Sequence, residues 1–362
     1  MGFFRENILK FIIIFVIVIV MTVLFTYLFT GGKKATTYSA MESNMKTAAI
    51  KYANKNSGML PVDETKVLKI NLDTLVNNKY LKEYTALEDK EQPCTGYVNV
   101  LKKDDNYSYK PYLKCGKYYE TKSISEYILN NENIVTTDDG LYKYGETYVY
   151  RGENPKNYIM LSDKVFRIME ITKDGNLKII SDRRTDNEFV WDDRYNSEKK
   201  TTNGINDYSK SRLKDSLETF YKSEYFTNSD REKIVKHDLC VGKRALNDGS
   251  IDGSAECSVI EKDQHVGLIQ VNEYSRASLS NKCVSALNPE CQNYNYLEGD
   301  GKNIRTITGV KDNTYQIFFM SYGTLSAAYA STSFTIYPVV YLEEDTIYQG
   351  GNGTLEKPYI VR

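Results

Sequence analysis

The sequence predicts an α+β chain: an N-terminal transmembrane helix, a small helix-plus-antiparallel-sheet domain, and then a larger α+β domain of short strands and long loops. Three observations carry this. The run from Phe11 to Thr30 holds no charged residue. The segment after it shows helical spacing of apolar residues, followed by a hairpin flanked by two cysteines. Beyond about residue 140, β-rich segments alternate with irregular loops around a single clear helix.

A chain of 362 residues suits two or three domains. Its 47 Lys and Arg nearly cancel 48 Asp and Glu, which argues against nucleic acid as a partner. The mean hydropathy of −0.50 is that of an ordinary soluble protein, but the average hides the apolar run near the N-terminus. Tyrosine is the outlier, with 31 residues against one Trp and two His.

The Phe11–Thr30 run is long enough, at about 1.5 Å per helical residue, to span a hydrocarbon core of ~30 Å. A cleaved signal peptide would have a shorter apolar region and a small-x-small site. The run exits through Gly31-Gly32-Lys33-Lys34, with neither such a site nor a lipidation cysteine. Residues 1–10 are therefore read as a cytoplasmic tail and 11–30 as a signal anchor. Arg5 and Lys10 before the span nearly balance Lys33 and Lys34 after it. Orientation rests instead on the six cysteines, all beyond the span, which suit an oxidising exterior. The expected placement is the cell membrane, single-pass, with the N-terminus cytoplasmic and the later domains extracellular. Gly2-Phe3 resembles a prepilin cleavage signal, yet with Phe3 counted first the fifth position is Asn7, and Glu6 falls one short.

Residues 35–121 form the membrane-proximal domain. Tyr38, Met41, Met45, Ala48, Ala49 and Tyr52 make one helical stripe, ended near Asn56-Ser57-Gly58 and Pro61. A second short helix carries Leu72, Leu75, Val76 and Leu81. The hairpin joins Gly96–Val100 to Tyr107–Leu113 about a turn near Asp104-Asp105. Cys94 and Cys115 lie equally far from that turn, so they face each other across the ladder and are expected to form a disulfide. Two zinc ligands are the alternative, but no further Cys or His lies in this domain to complete a site. A long helix followed by a small disulfide-tied sheet resembles the plan of pilins and pseudopilins. The Cys94-Thr95-Gly96-Tyr97-Val98 and Tyr112-Leu113-Lys114-Cys115-Gly116 elements resemble a membrane-proximal module of signal-anchored surface proteins of low-GC Gram-positive bacteria.

Residues 122–140 carry few large apolar groups and read as a linker. The distal domain, 141–362, opens with loose alternation from Tyr142 to Tyr150 and continues with Tyr158–Leu161 and Val165–Ile171. Asp174-Gly175-Asn176 turns the chain into the strand Leu177–Ser181. Ser209 is expected to cap the clear helix, whose stripe is Leu213, Leu217, Phe220 and Tyr221, with Tyr208 and Leu213 at staple spacing. Later strands are expected at Val266–Val271, Gln316–Met320, Thr335–Leu342 and Tyr359–Val361, the last after the turn Gly350-Gly351-Asn352-Gly353.

Asn157-Tyr158-Ile159, Val165-Phe166-Arg167-Ile168, Asn206-Asp207-Tyr208-Ser209, Val266-Gly267-Leu268-Ile269 and Tyr337-Pro338-Val339-Val340-Tyr341-Leu342 come in an order that resembles a bacterial surface domain of unknown function. That domain is similar to the C-type-lectin-like fold shared with formylglycine-generating enzymes. The resemblance implies termini close together and a binding surface made by long loops. Calcium-dependent lectins carry Glu-Pro-Asn or Gln-Pro-Asp on a loop and Trp-Asn-Asp on a late strand. Here Asn288-Pro289-Glu290 and the early Trp191-Asp192-Asp193 fit neither place nor order. The late copper-holding cysteines of formylglycine-generating enzymes have no counterpart after Cys291.

For the four remaining cysteines the simplest of three pairings is Cys240 with Cys257 and Cys283 with Cys291. His237 lies three residues before Cys240, but no second such pair exists and His265 stands alone. Ser211-x-x-Lys214 matches a penicillin-binding-enzyme pattern without its Lys-Thr-Gly companion. No catalytic residue and no metal ligand is singled out. Calcium is the one cofactor with any footing, at Asn247–Gly253, which lacks regular ligand spacing. Trp191 with Tyr195 and Tyr208 is the candidate ligand-binding platform, suited to stacking on a sugar, though a lone Trp beside strands is more often core. The expected function is non-catalytic ligand binding or adhesion at the cell surface, toward a glycan or a protein. The alternative is a structural component of a pilin- or pseudopilin-like assembly, and the third reading is an extracellular cell-envelope enzyme.

Overall fold

The computed structural model describes residues 37–63, 66–103, 106–298, 303–322 and 324–362. The tail and transmembrane helix read at 1–10 and 11–30, and the turn at Asp104-Asp105, lie outside these residues. Among the described residues no helix is long and apolar enough to cross a membrane. The fold is mixed α+β, mostly sheet, in two compact units that meet in sequence at Glu120 and Thr121.

In the first unit, Thr37 caps helix α1 (Tyr38–Lys55), its hydroxyl accepting from the Ala40 amide at 3.1 Å. Met41, Met45, Ala48, Ala49 and Ala53 are buried on one face. Strands β1 (Val67–Asn71), β2 (Thr95–Lys103), β3 (Asn106–Cys115) and β4 (Tyr119–Glu120) form an antiparallel sheet in that order. The small residue at Gly96 is required by close packing. A Cβ there would meet the Tyr112 carbonyl oxygen at 2.4 Å and the Met45 methyl at 3.0 Å. Register pairs Thr95 with Lys114, so Cys94 and Cys115 face each other with Cα atoms 4.1 Å apart in a disulfide. Helix α2 (Leu72–Asn77) stops short of Leu81, because Lys79 turns to φ 60° and the Tyr80 amide bonds back to the Leu75 carbonyl.

The second unit contains a nine-stranded sheet. Its members are β5 (Gly140–Tyr144), β6 (Thr147–Arg151), β7 (Tyr158–Leu161), β8 (Lys164–Ile171), β9 (Leu177–Ser181), β11 (Ile234–Val235), β18 (Val339–Leu342), β19 (Tyr348–Gly350) and β20 (Tyr359–Val361). The order is β11-β18-β9-β8-β7-β20-β19, with β6 also on β8 and β5 on β6. Every pair is antiparallel except β20 on β7. Smaller sheets are built from β10 (Glu188–Val190) with β17 (Ser333–Thr335), from β12 (His237–Cys240) with β13 (Ile260–Gln264), and from β14 (Ile304–Gly309), β15 (Gln316–Ser321) and β16 (Thr324–Tyr329). Helices α3 (Ile124–Asn131), α4 (Arg212–Tyr221), α5 (Asn228–Lys233) and α6 (Val271–Ala277) complete the unit.

Four expectations are corrected here. Residues 122–140 are not a linker: Ser123 caps α3, and Ile124 and Ile128 are fully buried in the core of this unit. The cap of α4 is Ser211, not Ser209, because Tyr208–Lys210 first makes a 3₁₀ turn, and this removes the Tyr208–Leu213 staple register. Val266–Val271 is not a strand. Only Gly267 bridges Val339, and Gln270 with Glu273 forms a capping box that starts α6. Thr335–Leu342 divides before Pro338, whose nitrogen cannot donate to a ladder, and its two halves join different sheets.

The two ends of this unit run side by side. Ile347 bridges Ser123 on one flank and exchanges both backbone hydrogen bonds with Arg362 on the other, at 2.9 and 3.0 Å.

Candidate functional site

Trp191 and Tyr208 do not form a stacking platform. They are 1% and 3% exposed and meet edge to face, ring centroids 5.8 Å apart, within the same core as Leu213 and Leu217. Only Tyr195, 58% exposed, faces solvent. The physical reason is that the Trp191 carbonyl accepts the Leu213 amide at 2.8 Å, which draws this stretch under α4. The next residue, Asp192, is also fully buried. It accepts from the Arg194 side chain at 2.5–3.1 Å and from the Arg194 amide at 2.9 Å. Arg194 in turn donates to the Lys210 carbonyl, so this pair locks the approach to α4.

A groove of about 940 Å³ opens beside that locked segment, between residues 184–193 and the outer side of α4 with the turn that follows it. Phe189, Phe220 and Tyr225 line its inner part. Phe220 is buried and the other two are half-buried. Phe189 meets Phe220 edge to face at 5.5 Å, and Phe220 lies 4.6 Å from Tyr225. The Tyr225 hydroxyl is 3.1 Å from Ser181 Oγ, and burial raises its pKa. Exposed side chains around these rings are Arg184, Asp186, Glu188, Asp193, Arg212, Asp215 and Glu224. Arg212 is paired with Asp193 at 2.7 Å. Among the described residues, Asp186, Glu188, Asp215 and Glu224 form no ion pair. No spacing rule points to this site, since its walls come from two segments, 184–193 and 212–225, that only the fold brings together. Trp191 is its nearest marker in the sequence.

A second, polar cavity of about 500 Å³ is lined by Glu153, Ser280, Asn281, Lys282, Glu290, Asn293, Tyr294 and Asn295. It sits on the loop closed by Cys283–Cys291, whose Cα atoms are 4.6 Å apart. Cys240–Cys257 is likewise bridged, and no described cysteine is free. Each histidine is held by a tyrosine. His237 stacks on Tyr341 at 3.7 Å, and His265 stacks on Tyr221 at 3.9 Å with Nδ1 3.0 Å from Glu218. Burial works against ionising Glu218, but hydrogen bonds from His265 and Lys222 prevail and lower its pKa.

Ser211 Oγ donates to the Tyr208 carbonyl at 2.8 Å and accepts from the Lys214 amide, while Lys214 Nζ lies 2.5 Å from Glu261. The serine is therefore a cap, and the lysine has its own carboxylate. In the Asn247–Gly253 loop, Asp248 and Asp252 accept from the amides of Ser250 and Ser254, each at 2.9 Å, which stabilises their own turns and lowers both pKa values. Among the described residues no three His, Cys, Asp or Glu side chains are placed to hold a metal ion. Compared with known protein families, curated proteins and solved structures, the chain matches none.

Proposed function

We propose that the protein is a single-pass, membrane-anchored protein of the cell surface whose second unit binds a ligand, without catalysis, in the groove beside α4. One observation carries the reading: an open groove of about 940 Å³ combines an aromatic interior with four carboxylates that have no ion-pair partner among the described residues. Binding sites of this size pair an apolar lining with a few convergent polar groups. The uncharged run Phe11–Thr30 supports the anchor, and the three disulfides support an oxidising exterior. The pairing of the unit's two ends across Ile347 agrees with the C-type-lectin-like resemblance. The full chain, solubilised in a non-ionic detergent, should retain a defined class of glycan or protein on a glycan array or in a pull-down, and Phe189→Ala should weaken that retention. Retention unchanged by Phe189→Ala would move the function elsewhere.

A pilin- or pseudopilin-like assembly role is the second reading, favoured by α1 packed on a four-stranded, disulfide-tied sheet. N-terminal sequencing of the native protein tests it, because cleavage after Gly2 would promote this reading over the first.

A further inference from the structure

The charge of the groove goes further than its shape. Its lining holds two arginines against five carboxylates, a formal excess of three negative charges in a chain that is itself almost neutral. One arginine, Arg212, is already engaged by Asp193 at 2.7 Å. Exposed carboxylates left this way around a concave surface make a negative potential that draws in cations. Neutral sugars would leave that charge uncompensated. An amino sugar would neutralise it, but it carries no long apolar stem to lie on Phe189, Phe220 and Tyr225. Lysine and arginine side chains supply both parts: a methylene stem for the rings and a cationic tip for the carboxylates.

Resting on the reading of this groove as the binding site, we infer that its ligand is a peptide segment rich in lysine or arginine. Tyr225 is suited to the stem, and Glu188, Asp215 and Glu224 to the charged tips. Lys164 of the same chain, paired with Asp163 at 2.8 Å, holds its ammonium 5.1 Å from the centre of the Tyr225 ring, so this ring already accepts a cation.

The test titrates the full chain in non-ionic detergent with fluorescently labelled hexalysine, hexaarginine and hexaglutamate, and with a glucosamine hexamer, followed by anisotropy. Saturable binding of the two cationic peptides is expected, weakened about tenfold by the combined change Asp215→Asn and Glu224→Gln and further by raised salt. Glu188→Gln serves as a second, independent variant, and thermal melting confirms that each variant is folded. Glu356→Gln, an exposed change outside the groove, is expected to leave binding as it was. Three results would overturn the inference: no saturable binding of either cationic peptide, equal binding by the groove variants, or tighter binding of the glucosamine hexamer. If the hexamer or an array glycan binds and Phe189→Ala weakens it, the groove remains the binding site and only the peptide assignment falls. If no probe responds to any groove variant, both readings fall.

Discussion

Arg244 and Glu256 form an ion pair in which both side chains are fully buried. Arg244 Nη2 lies 2.9 and 3.0 Å from the two carboxylate oxygens and Nε 3.1 Å from Oε1. The remaining nitrogen, Nη1, donates to the carbonyls of Asp248 and Ser250 at 2.9 and 2.7 Å, so one guanidinium organises the irregular loop beside the Cys240–Cys257 disulfide. Removing one partner strands a buried charge. Arg244→Ala or Glu256→Ala should each cost about 3–5 kcal/mol, while Arg244→Met with Glu256→Leu should recover most of the loss. Urea unfolding of the single and double variants measures this. A double variant as weak as the singles would show that the loop needs the charges themselves.

Trp191→Ala should destabilise the second unit by about 3–5 kcal/mol, the cost of emptying a large core site. Tyr195→Ala, at an exposed position, should stay within about 0.5 kcal/mol of the parent. Equal melting curves for the two variants would return Trp191 to the surface.

The Cys94–Cys115 bridge closes a sequence separation of 21 residues. Replacing both with serine should lower the stability of the first unit by about 3 kcal/mol in the chain-entropy account. Denaturation of the double variant, compared with the parent before and after mild reduction, tests this. A parent that reduction does not weaken would contradict it.

His237 ties stability to pH. Burial lowers its pKa below the ordinary 6.5, the Lys178 charge acts in the same direction, and Asp238, Asp174 and Glu273 oppose both. Because the unfolded chain takes up this proton first, stability is lost as pH falls from about 6.5 toward the lower folded-state value. The urea midpoint should therefore drop between about pH 7.5 and 5.5, and His237→Phe, which can keep a ring against Tyr341, should flatten the drop. An unaltered slope in that variant would assign the effect to other groups.

The parts legible in the sequence are those where one local signal decides the outcome. The Met41–Met45–Ala48–Ala49 stripe marks α1, and the equal distance of Cys94 and Cys115 from one turn marks both hairpin and disulfide. Strand β1 was not legible, because only Ile70 of its five residues is buried and no alternation shows. Helix α3 is two turns long and fully buries only Ile124 and Ile128 among its apolar residues, with Tyr127 and Leu129 half-buried beside them, too short a pattern to separate from a loop. The candidate site was legible only as a neighbourhood. Trp191 lies beside the groove, but Glu188, Asp215 and Glu224 converge through tertiary packing that no sequence spacing encodes.

The adjacency of Ser123, Ile347 and Arg362 gives the second unit the geometry of a cassette. Two strand spacings separate its entry from its exit, roughly 10 Å, a gap that about three extended residues can cross. Such a unit can be circularly permuted, or spliced into an exposed loop of another protein, without stretching its sheet. Chain entering and leaving such a unit passes through one narrow place on its perimeter.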